Sequence, residues 1–315
     1  MNILHRPLIP TSTKPTRLRH ILSAIRGDKL ALFALLIFAF YCLVALLAPL
    51  LAPYDSSSND FMDLLNAELP PYWQSGDSRF LLGTDTQGRD LLSVILYGTR
   101  LSLTIGVCAV LIQLLLGVCI GLLSGYIGGR LDTFLMRCAD IQLSFSTMMV
   151  AIVVLAVFQA LFGNAAYQQL AMLMLIIVLG IAEWPIFARI IRACVLAEKE
   201  KEYVDAARIM GVSKVRIMFR HILPNTVSPI LVILTIQIAN AIVAEAALSF
   251  LGLGMPPTQP SLGALISSGV NYLFSGAWWI AVFPSITLII LIFVMNLLGD
   301  WLRDHLNPQT GKGVP

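Results

Sequence analysis

Charged side chains are scarce in this chain of 315 residues, of which Asp, Glu, Lys and Arg make up only 12%. Ordinary soluble domains carry about 25% charged residues. Hydrophobic residues, in contrast, account for 57% of the sequence. The composition therefore excludes a soluble globular protein and predicts a polytopic membrane protein.

Cysteine pairs, catalytic constellations and phosphate-binding loops are lacking as well. The five cysteines follow no CxxC spacing, which argues against a disulfide framework or a zinc site. The only Gly-Lys pair, Gly311-Lys312, is followed by Gly, so the chain has no P-loop. The four histidines fall in predicted cytoplasmic segments, and no Ser, His and acid combination indicates a hydrolase. We therefore expect no catalytic residue, no metal site, no bound cofactor and no enzymatic activity.

Long apolar runs are what the sequence has instead, at 30–51, 101–129, 141–182, 225–244 and 278–298. A bilayer core about 30 Å thick needs roughly 20 apolar residues per helix. The run at 141–182 is too long for one span and contains Gly163-Asn164, so we interpret it as a hairpin of two helices. The sequence thus predicts an all-α protein with six transmembrane helices.

Basic residues are distributed unevenly between the predicted loops. Six precede the first span against the single acid Asp28, and residues 192–220 hold seven more. The segment 53–90 is acidic instead, with seven Asp or Glu residues against Arg79 and Arg89. Because cytoplasmic loops carry the excess of Lys and Arg, both termini are predicted to lie in the cytoplasm. The net charge of +3 is thus a sign of topology, and no nucleic-acid partner is expected.

Five regions follow from these spans. The predicted regions are a cytoplasmic tail at 1–29, a first transmembrane helix at 30–52, a periplasmic segment at 53–96, a five-helix core at 97–306 with short cytoplasmic helices at 200–224, and a tail at 307–315.

The charged insert between the fourth and fifth predicted spans has amphipathic character. Val204, Ala207 and Met210 recur at helical spacing, and Gly211 suits the left-handed turn that closes such a helix. Ser213 is a candidate N-cap for a second short helix, which Pro224 ends. An apolar stripe of this kind either docks in a groove of a cytoplasmic partner or lies on the lipid surface.

The same insert resembles the coupling motif of the permease subunits of ATP-binding cassette importers. In that motif Glu-Ala-Ala is followed after three residues by Gly and later by Leu-Pro. Asp205 replaces the usual Glu with a shorter acid, and His221 stands where the motif has an aliphatic residue. The resemblance implies that the residues contacting an ATPase are Tyr203, Asp205, Ala206, Ala207, Gly211, Arg220, His221, Leu223 and Pro224.

Four further stretches are similar to the dipeptide, oligopeptide and nickel branch of these permeases. They are Leu82-Gly-Thr-Asp85 followed by Gly88-Arg-Asp90, then Gly98-Thr-Arg-Leu-Ser102, Ala247-Leu-Ser-Phe-Leu-Gly-Leu-Gly254 and Asn296-Leu-Leu-Gly-Asp300. The resemblance implies the type I importer fold, which is MetI-like, and uptake of di- or oligopeptides across a bacterial inner membrane. Nickel or another small solute is the alternative cargo.

The resemblance also implies partners. They are a homologous permease subunit in a heterodimer, two cytoplasmic ATPases that carry ATP and Mg, a periplasmic or extracellular solute-binding protein, and membrane lipid. An ion-gradient-driven transporter or a membrane scaffold is the alternative from another class. The charge-poor spans supply few ionisable residues for ion coupling.

Polar residues inside the spans are candidates for the translocation path. Gln237 and Asn240 lie at helical spacing in the fifth span, and Glu245 follows them. Glu183 stands near the expected cytoplasmic end of the fourth span, where water or Arg189 is a potential partner. For both glutamates a structural and a functional role stay open, because burying a carboxylate at membrane depth is costly in either case.

Overall fold

The computed structural model describes residues 28–52, 64–74, 77–259 and 261–306. Nine α-helices of eight residues or more form this part of the chain, so the prediction of an all-α fold is confirmed. Residues 1–27 of the predicted tail at 1–29, residues 53–63 of the predicted periplasmic segment and the predicted tail at 307–315 lie outside the described residues. The helices are α1 (Lys29–Leu51), α2 (Leu91–Ile127), α3 (Gly129–Ser144), α4 (Thr147–Ala182), α5 (Trp184–Lys199), α6 (Glu202–Ile209), α7 (Val227–Phe250), α8 (Leu262–Val270) and α9 (Trp279–Leu306).

The predicted break at Gly163 is present inside α4. Gly163 has φ 79° and ψ 167°, which is not helical, so α4 consists of the two segments 147–162 and 164–182. Both segments contribute to one apolar cluster, which contains Leu155 from the first and Ala171 and Leu175 from the second. By length and composition alone, the described residues hold five membrane-length helices, because that count takes residues 147–199 as one. Division at Gly163 reconciles this count with the six predicted spans.

Two helices extend further than the apolar runs suggested. α2 begins at Leu91, well before the run that starts at 101, because the Asp90 side chain accepts a hydrogen bond from the Ser93 backbone N–H at 2.8 Å and caps it. After α4 the chain does not leave the bundle, since α5 continues from Trp184 to Lys199. Glu183 therefore lies between the two helices α4 and α5.

Glycines allow α2 and α5 to pack closely along their length. A Cβ at Gly117 would lie 2.3 Å from the Phe187 Cβ, and one at Gly125 would lie 2.8 Å from the Val195 Cβ. Gly121, between them, would meet the Ala188 carbonyl oxygen at 2.7 Å. Small residues at such a spacing let two helix backbones approach each other, as in many membrane bundles.

The described residues of 64–90, which we call the outer segment, fold back over the ends of the helices. Gly83 and Gly88 form turns with positive φ, at 83° and 76°. A Cβ at Gly83 would lie 2.5 Å from the Leu69 carbonyl oxygen, so only glycine fits there. The Trp279 indole N–H donates to the Thr84 carbonyl at 3.2 Å and joins the segment to α9.

Candidate functional site

Residues 200–224, which we call the coupling segment, form two short helices joined at Gly211. Gly211 has φ 75°, the left-handed conformation that its position predicts. Beyond it the chain passes through a turn of α-helix at Lys214–Arg216, a π-helix at Ile217–Ile222 and a 3₁₀ turn at Leu223–Asn225. Pro224 lies within that last turn. The second helix thus passes from α through π to 3₁₀ geometry before it ends. Ser213 occupies the predicted N-cap position, but its side chain forms no capping hydrogen bond.

One face of the coupling segment packs against the transmembrane helices of the same chain. Val204, Ala207, Ile217, Met218 and Ile222 are buried there, and all belong to the main apolar cluster. Val204 and Ala207 therefore share one helix face as predicted, and this face is buried against the same chain. The third predicted member, Met210, does not share this face.

The opposite face exposes large apolar side chains on both sides of Gly211. Ile209 is 88% exposed and Met210 73% exposed, and Val215 and Phe219 are at least half exposed. We call these four residues the docking patch. Large exposed apolar groups rimmed by charges mark interaction surfaces. The sequence reasoning missed Ile209, Val215 and Phe219, although their position off the buried stripe was a signal that could have located them.

Hydrogen bonds hold the two ends of the coupling segment together and to α5. The Tyr203 hydroxyl donates to Glu198 Oε2 at 2.5 Å and accepts from the Asn225 Nδ2 at 3.0 Å. The same Asn225 amide donates to the His221 carbonyl at 3.0 Å. Burial, and after it the hydrogen bond to Glu198, raises the pKa of Tyr203 above its ordinary value. The hydroxyl thus keeps its proton at neutral pH and serves as the donor.

The remaining predicted contact residues lie on or near the solvent side of the coupling segment. Asp205 forms an exposed ion pair with Arg208 at 2.8 Å, within the same helix. Ala206, Arg220 and Pro224 are exposed, and Leu223 is half-buried. Tyr203 and His221 are thus joined through Asn225, whereas Asp205 and Arg220 share no hydrogen bond or ion pair with them.

Gln237 and Asn240, predicted for the translocation path, are in direct contact on α7. The Asn240 Nδ2 donates to Gln237 Oε1 at 3.0 Å, and the Gln237 Nε2 donates to Glu183 Oε2 at 2.8 Å. The Gln237 amide also lies 3.4 Å from Gln113 Oε1 of α2. Gln237 is buried, Glu183 is half-buried and Asn240 is exposed. Glu183, whose role the sequence left open, thus contacts Gln237 directly and is linked through it to Asn240.

Glu245, the third predicted path residue, lies apart from this group in the interior of the fold. It is fully buried, with Ser249 donating to it at 2.7 Å and Ser102 of α2 at 3.1 Å. Ser261, at the start of α8, lies 3.3 Å from the Ser249 hydroxyl. These serines satisfy the carboxyl group inside the bundle, so Glu245 joins α2, α7 and the start of α8.

Comparisons with known proteins place the chain in a family. Residues 117–312 match the family model described as binding-protein-dependent transport system inner membrane component. Residues 16–71 match the N-terminal transmembrane domain of oligopeptide transport permease C. The resemblance that the sequence motifs carry is thereby confirmed.

Individual relatives and a solved structure agree with this assignment. The di/tripeptide transport system permease protein DppC of Pseudomonas aeruginosa is 37% identical over 98% of both chains. The oligopeptide transport system permease protein OppC of Bacillus subtilis is 38% identical over 91% of this chain and 88% of its own length. An inward-facing structure of the MetNI methionine ABC transporter shares the fold, with a TM-score of 0.54 at 16% identity over 69% of this chain and 98% of that one. The chain therefore belongs to the family of binding-protein-dependent inner membrane transport components, the permease subunits of ATP-binding cassette importers.

Proposed function

We propose that this chain pairs with a homologous permease subunit and forms with it the path by which di- or oligopeptides cross the bacterial inner membrane inward. Two separate cytoplasmic ATPases, which bind ATP and Mg, drive the process, and a solute-binding protein delivers the peptide to the outer side. The peptide cargo is supported by the names of two relatives that match this chain over nine-tenths of its length or more. Nickel or another small solute is the competing cargo.

The docking patch is the observation that carries this proposal. The buried face of the coupling segment fixes it to the transmembrane helices, while Ile209, Met210, Val215 and Phe219 point away from them. An apolar knob of this kind fits a groove in a cytoplasmic partner, which would remove the four side chains from water. The patch favours a partner over the alternative of a lipid-bound helix pair, because the apolar groups flank the sharp turn at Gly211 rather than one continuous helix face.

In this proposal the coupling segment transmits movement between the ATPases and the bundle. Closure of the ATPases around ATP would displace the docking patch, and the buried side of the segment would carry that displacement into α5 and its neighbours. Coupling requires only that the knob be held differently in the two states of the complex. The distribution of Lys and Arg supports the orientation with the coupling segment and both termini in the cytoplasm.

Co-purification tests the docking role. We expect the tagged native chain, extracted in mild detergent, to bring down a second permease and cassette ATPases, and the Gly211→Asp variant to lose the ATPases. A Cβ at Gly211 would meet no atom within 4 Å, and Asp and Asn both tolerate a positive φ better than most other residues. A charge placed at the centre of the docking patch would instead disfavour burial against a partner.

Two control variants separate the effect of the new charge in Gly211→Asp from the effects of backbone strain and of a charge at any exposed position. Gly211→Asn imposes the same backbone strain without the charge, and we expect it to retain more ATPase than Gly211→Asp. Thr133→Asp adds the same charge to an exposed position on α3, and we expect it to behave as the native chain. Retention of the ATPases by Gly211→Asp would contradict docking at the patch, and ATP-independent uptake by the native chain would favour a gradient-driven transporter.

A further inference from the structure

The break between α4 and α5 is built into the bundle by glutamine side chains. Glu183 interrupts the helix with φ −117° and ψ 11°, and Pro185 follows without a backbone N–H to donate. The Gln113 Nε2 of α2 donates to the Leu179 carbonyl at 3.1 Å, and the Gln142 Nε2 of α3 donates to the Ala182 carbonyl at 3.3 Å. Such side-chain partners are what an interrupted helix needs at membrane depth.

Glu183 lies at the level of the apolar parts of its neighbours. Its hydrogen-bond partner Gln237 is near the middle of α7, which spans Val227–Phe250, and the Gln113 amide that contacts Gln237 comes from the apolar run of α2. Apolar turns precede and follow both residues along their helices. The carboxyl group thus lies level with the middle of two membrane-length helices, and an ionisable residue at such a level is a candidate for a transport pathway.

No basic side chain compensates Glu183 within the described part of the chain. Arg189, its expected partner, forms an ion pair with Asp140 at 2.5 Å instead. Gln237 is the one side chain there that bonds to the carboxylate, and it uses Oε2 only. Oε1 of Glu183 thus has no hydrogen-bond partner within the described residues and is available to a donor from outside the chain.

The surface beside Glu183 is open to a ligand. Asn240 is exposed on α7, and Val243 and Phe250 continue the same exposed side of that helix. Polar side chains at membrane depth face an assembly interior or a water-filled cavity rather than lipid. In addition, ligand sites of transporters are commonly formed where a transmembrane helix is interrupted. These features favour a position of Glu183, Gln237 and Asn240 on the side of the chain that faces the path.

We infer that Glu183, oriented by Gln237 and accompanied by Asn240, binds the positively charged amino group of the transported solute on its way through the path. This inference rests on the proposed function and names the chemical class that the path favours, namely solutes with a free ammonium group such as the N-terminus of a peptide. The carboxylate accepts hydrogen bonds from the ammonium, and the Asn240 amide is placed to contact an adjacent peptide carbonyl. A charge-assisted bond of this kind is stronger than a bond between neutral groups.

The test compares two peptides and two substitutions in the complete reconstituted importer. Uptake of trialanine and of N-acetyl-trialanine is measured in proteoliposomes, each at a concentration that saturates the binding protein. We expect Glu183→Gln to lower trialanine uptake by about tenfold, the effect of one lost charge-assisted hydrogen bond, and to change uptake of the acetylated peptide by less than about twofold. Glu183→Asp keeps the charge and should retain most of the preference for trialanine.

A structural variant and a second readout keep the outcome interpretable. Gln142→Leu removes a support of the helix break without touching the charge, so we expect it to lower uptake of both peptides by the same factor. Without binding protein, trialanine should raise the thermal unfolding midpoint of the detergent-purified native complex, whereas it should not raise that of Glu183→Gln. The acetylated peptide should raise neither.

Equal losses for both peptides in Glu183→Gln would overturn the inference and would indicate that Glu183 pairs with a residue of the partner permease. Failure of the native complex to import either peptide would contradict the proposed function instead. The two failures are therefore distinguishable, because the first concerns a ratio between peptides and the second concerns uptake by the native chain.

Discussion

The outer segment and the coupling segment are both short polar stretches attached to an apolar bundle, yet they treat their side chains in opposite ways. The outer segment buries charge, since Asp85 and Arg89 are 2% and 5% exposed. The coupling segment exposes apolar groups, with Ile209 at 88%. The first segment pairs its buried charges within the chain, whereas the second leaves an apolar surface exposed.

The contacts within the outer segment explain how it tolerates buried charge. Arg89 Nε and NH2 lie 2.7 Å and 2.6 Å from Asp85 Oδ2, and the Arg89 backbone N–H donates to Asp85 Oδ1 at 2.9 Å. Arg89 NH1 also donates to the Pro257 carbonyl at 3.0 Å, which joins the segment to the loop after α7. A buried ion pair of this kind is stable only when hydrogen bonds satisfy its remaining groups.

Breaking this pair should have the largest effect. We expect Arg89→Ala to destabilise the folded protein by about 3–5 kcal/mol, because it leaves the Asp85 carboxylate buried without its cation. The midpoint of thermal unfolding in detergent, followed by near-UV circular dichroism, measures this loss. Arg79→Ala is the matched control, since the Arg79–Asp77 pair is exposed and should contribute less than about 1 kcal/mol. Similar unfolding midpoints for the two variants would contradict the contrast between the segments.

A pair of identical substitutions on opposite faces of the coupling segment comes next. Ile222→Ala, on the buried face, should cost about 3 kcal/mol because it leaves a cavity against the transmembrane helices. Ile209→Ala, on the exposed face, should change stability by less than about 0.5 kcal/mol. The second variant should nevertheless retain less ATPase on co-purification. An Ile209→Ala protein as unstable as Ile222→Ala would show that the docking patch is part of the core.

The smallest effect concerns an ion pair beside the coupling side of α5. Arg192 binds Asp132 with distances of 2.6 Å and 2.7 Å, and Ser124 adds a hydrogen bond to the same carboxylate. The hydrogen bond from Arg192, opposed in part by burial and helped by Ser124, lowers the pKa of Asp132 below its ordinary value. Since the folded pKa is the lower one, the stabilisation is present above the unfolded value of about 3.9 and is lost as the pH falls through the folded value.

Acid titration of a matched variant measures this contribution. Asp132→Asn should be less stable than the native chain at pH 7 by less than about 1 kcal/mol, because the pair is partly accessible to solvent. The difference in unfolding midpoint should shrink below about pH 4, where the native carboxylate takes up a proton. A difference that stays constant between pH 7 and pH 3 would contradict the assignment. Unlike Arg89–Asp85, this pair should also weaken at high salt.

The sequence predicted the elements whose signals are local. Gly211 adopts the positive φ that its position indicated, and Gly163 breaks the helix where a turn was predicted, since the demand for glycine comes from the backbone itself. The apolar runs located the membrane helices for the same reason, because length and composition suffice to recognise a span. The start of α2 at Leu91 was missed, since it depends on the cap that Asp90 provides ahead of the apolar run.

Tertiary packing decided what the sequence did not. The periodicity of Val204, Ala207 and Met210 identified an amphipathic helix but did not tell which molecule covers the apolar face, and Met210 proved to be exposed. The partners of Glu183 come from other helices, far away in sequence, so the nearby Arg189 was the natural but wrong expectation. The glutamines that support the helix break at Glu183 likewise carry no local signal of that role.

The close contact between α2 and α5 has a mechanical consequence. Because Gly117, Gly121 and Gly125 bring the two backbones together, α5 is braced along its length and has little freedom to bend independently. Its sixteen residues form a stiff rod of about 24 Å, with Glu183 just before one end and the coupling segment just after the other. We expect a displacement of the coupling segment to reach Glu183 almost undiminished, as a push on one end of a braced rod reaches the other. The site where the ATPases act and the residue that we infer to bind the solute would then be coupled through this one helix.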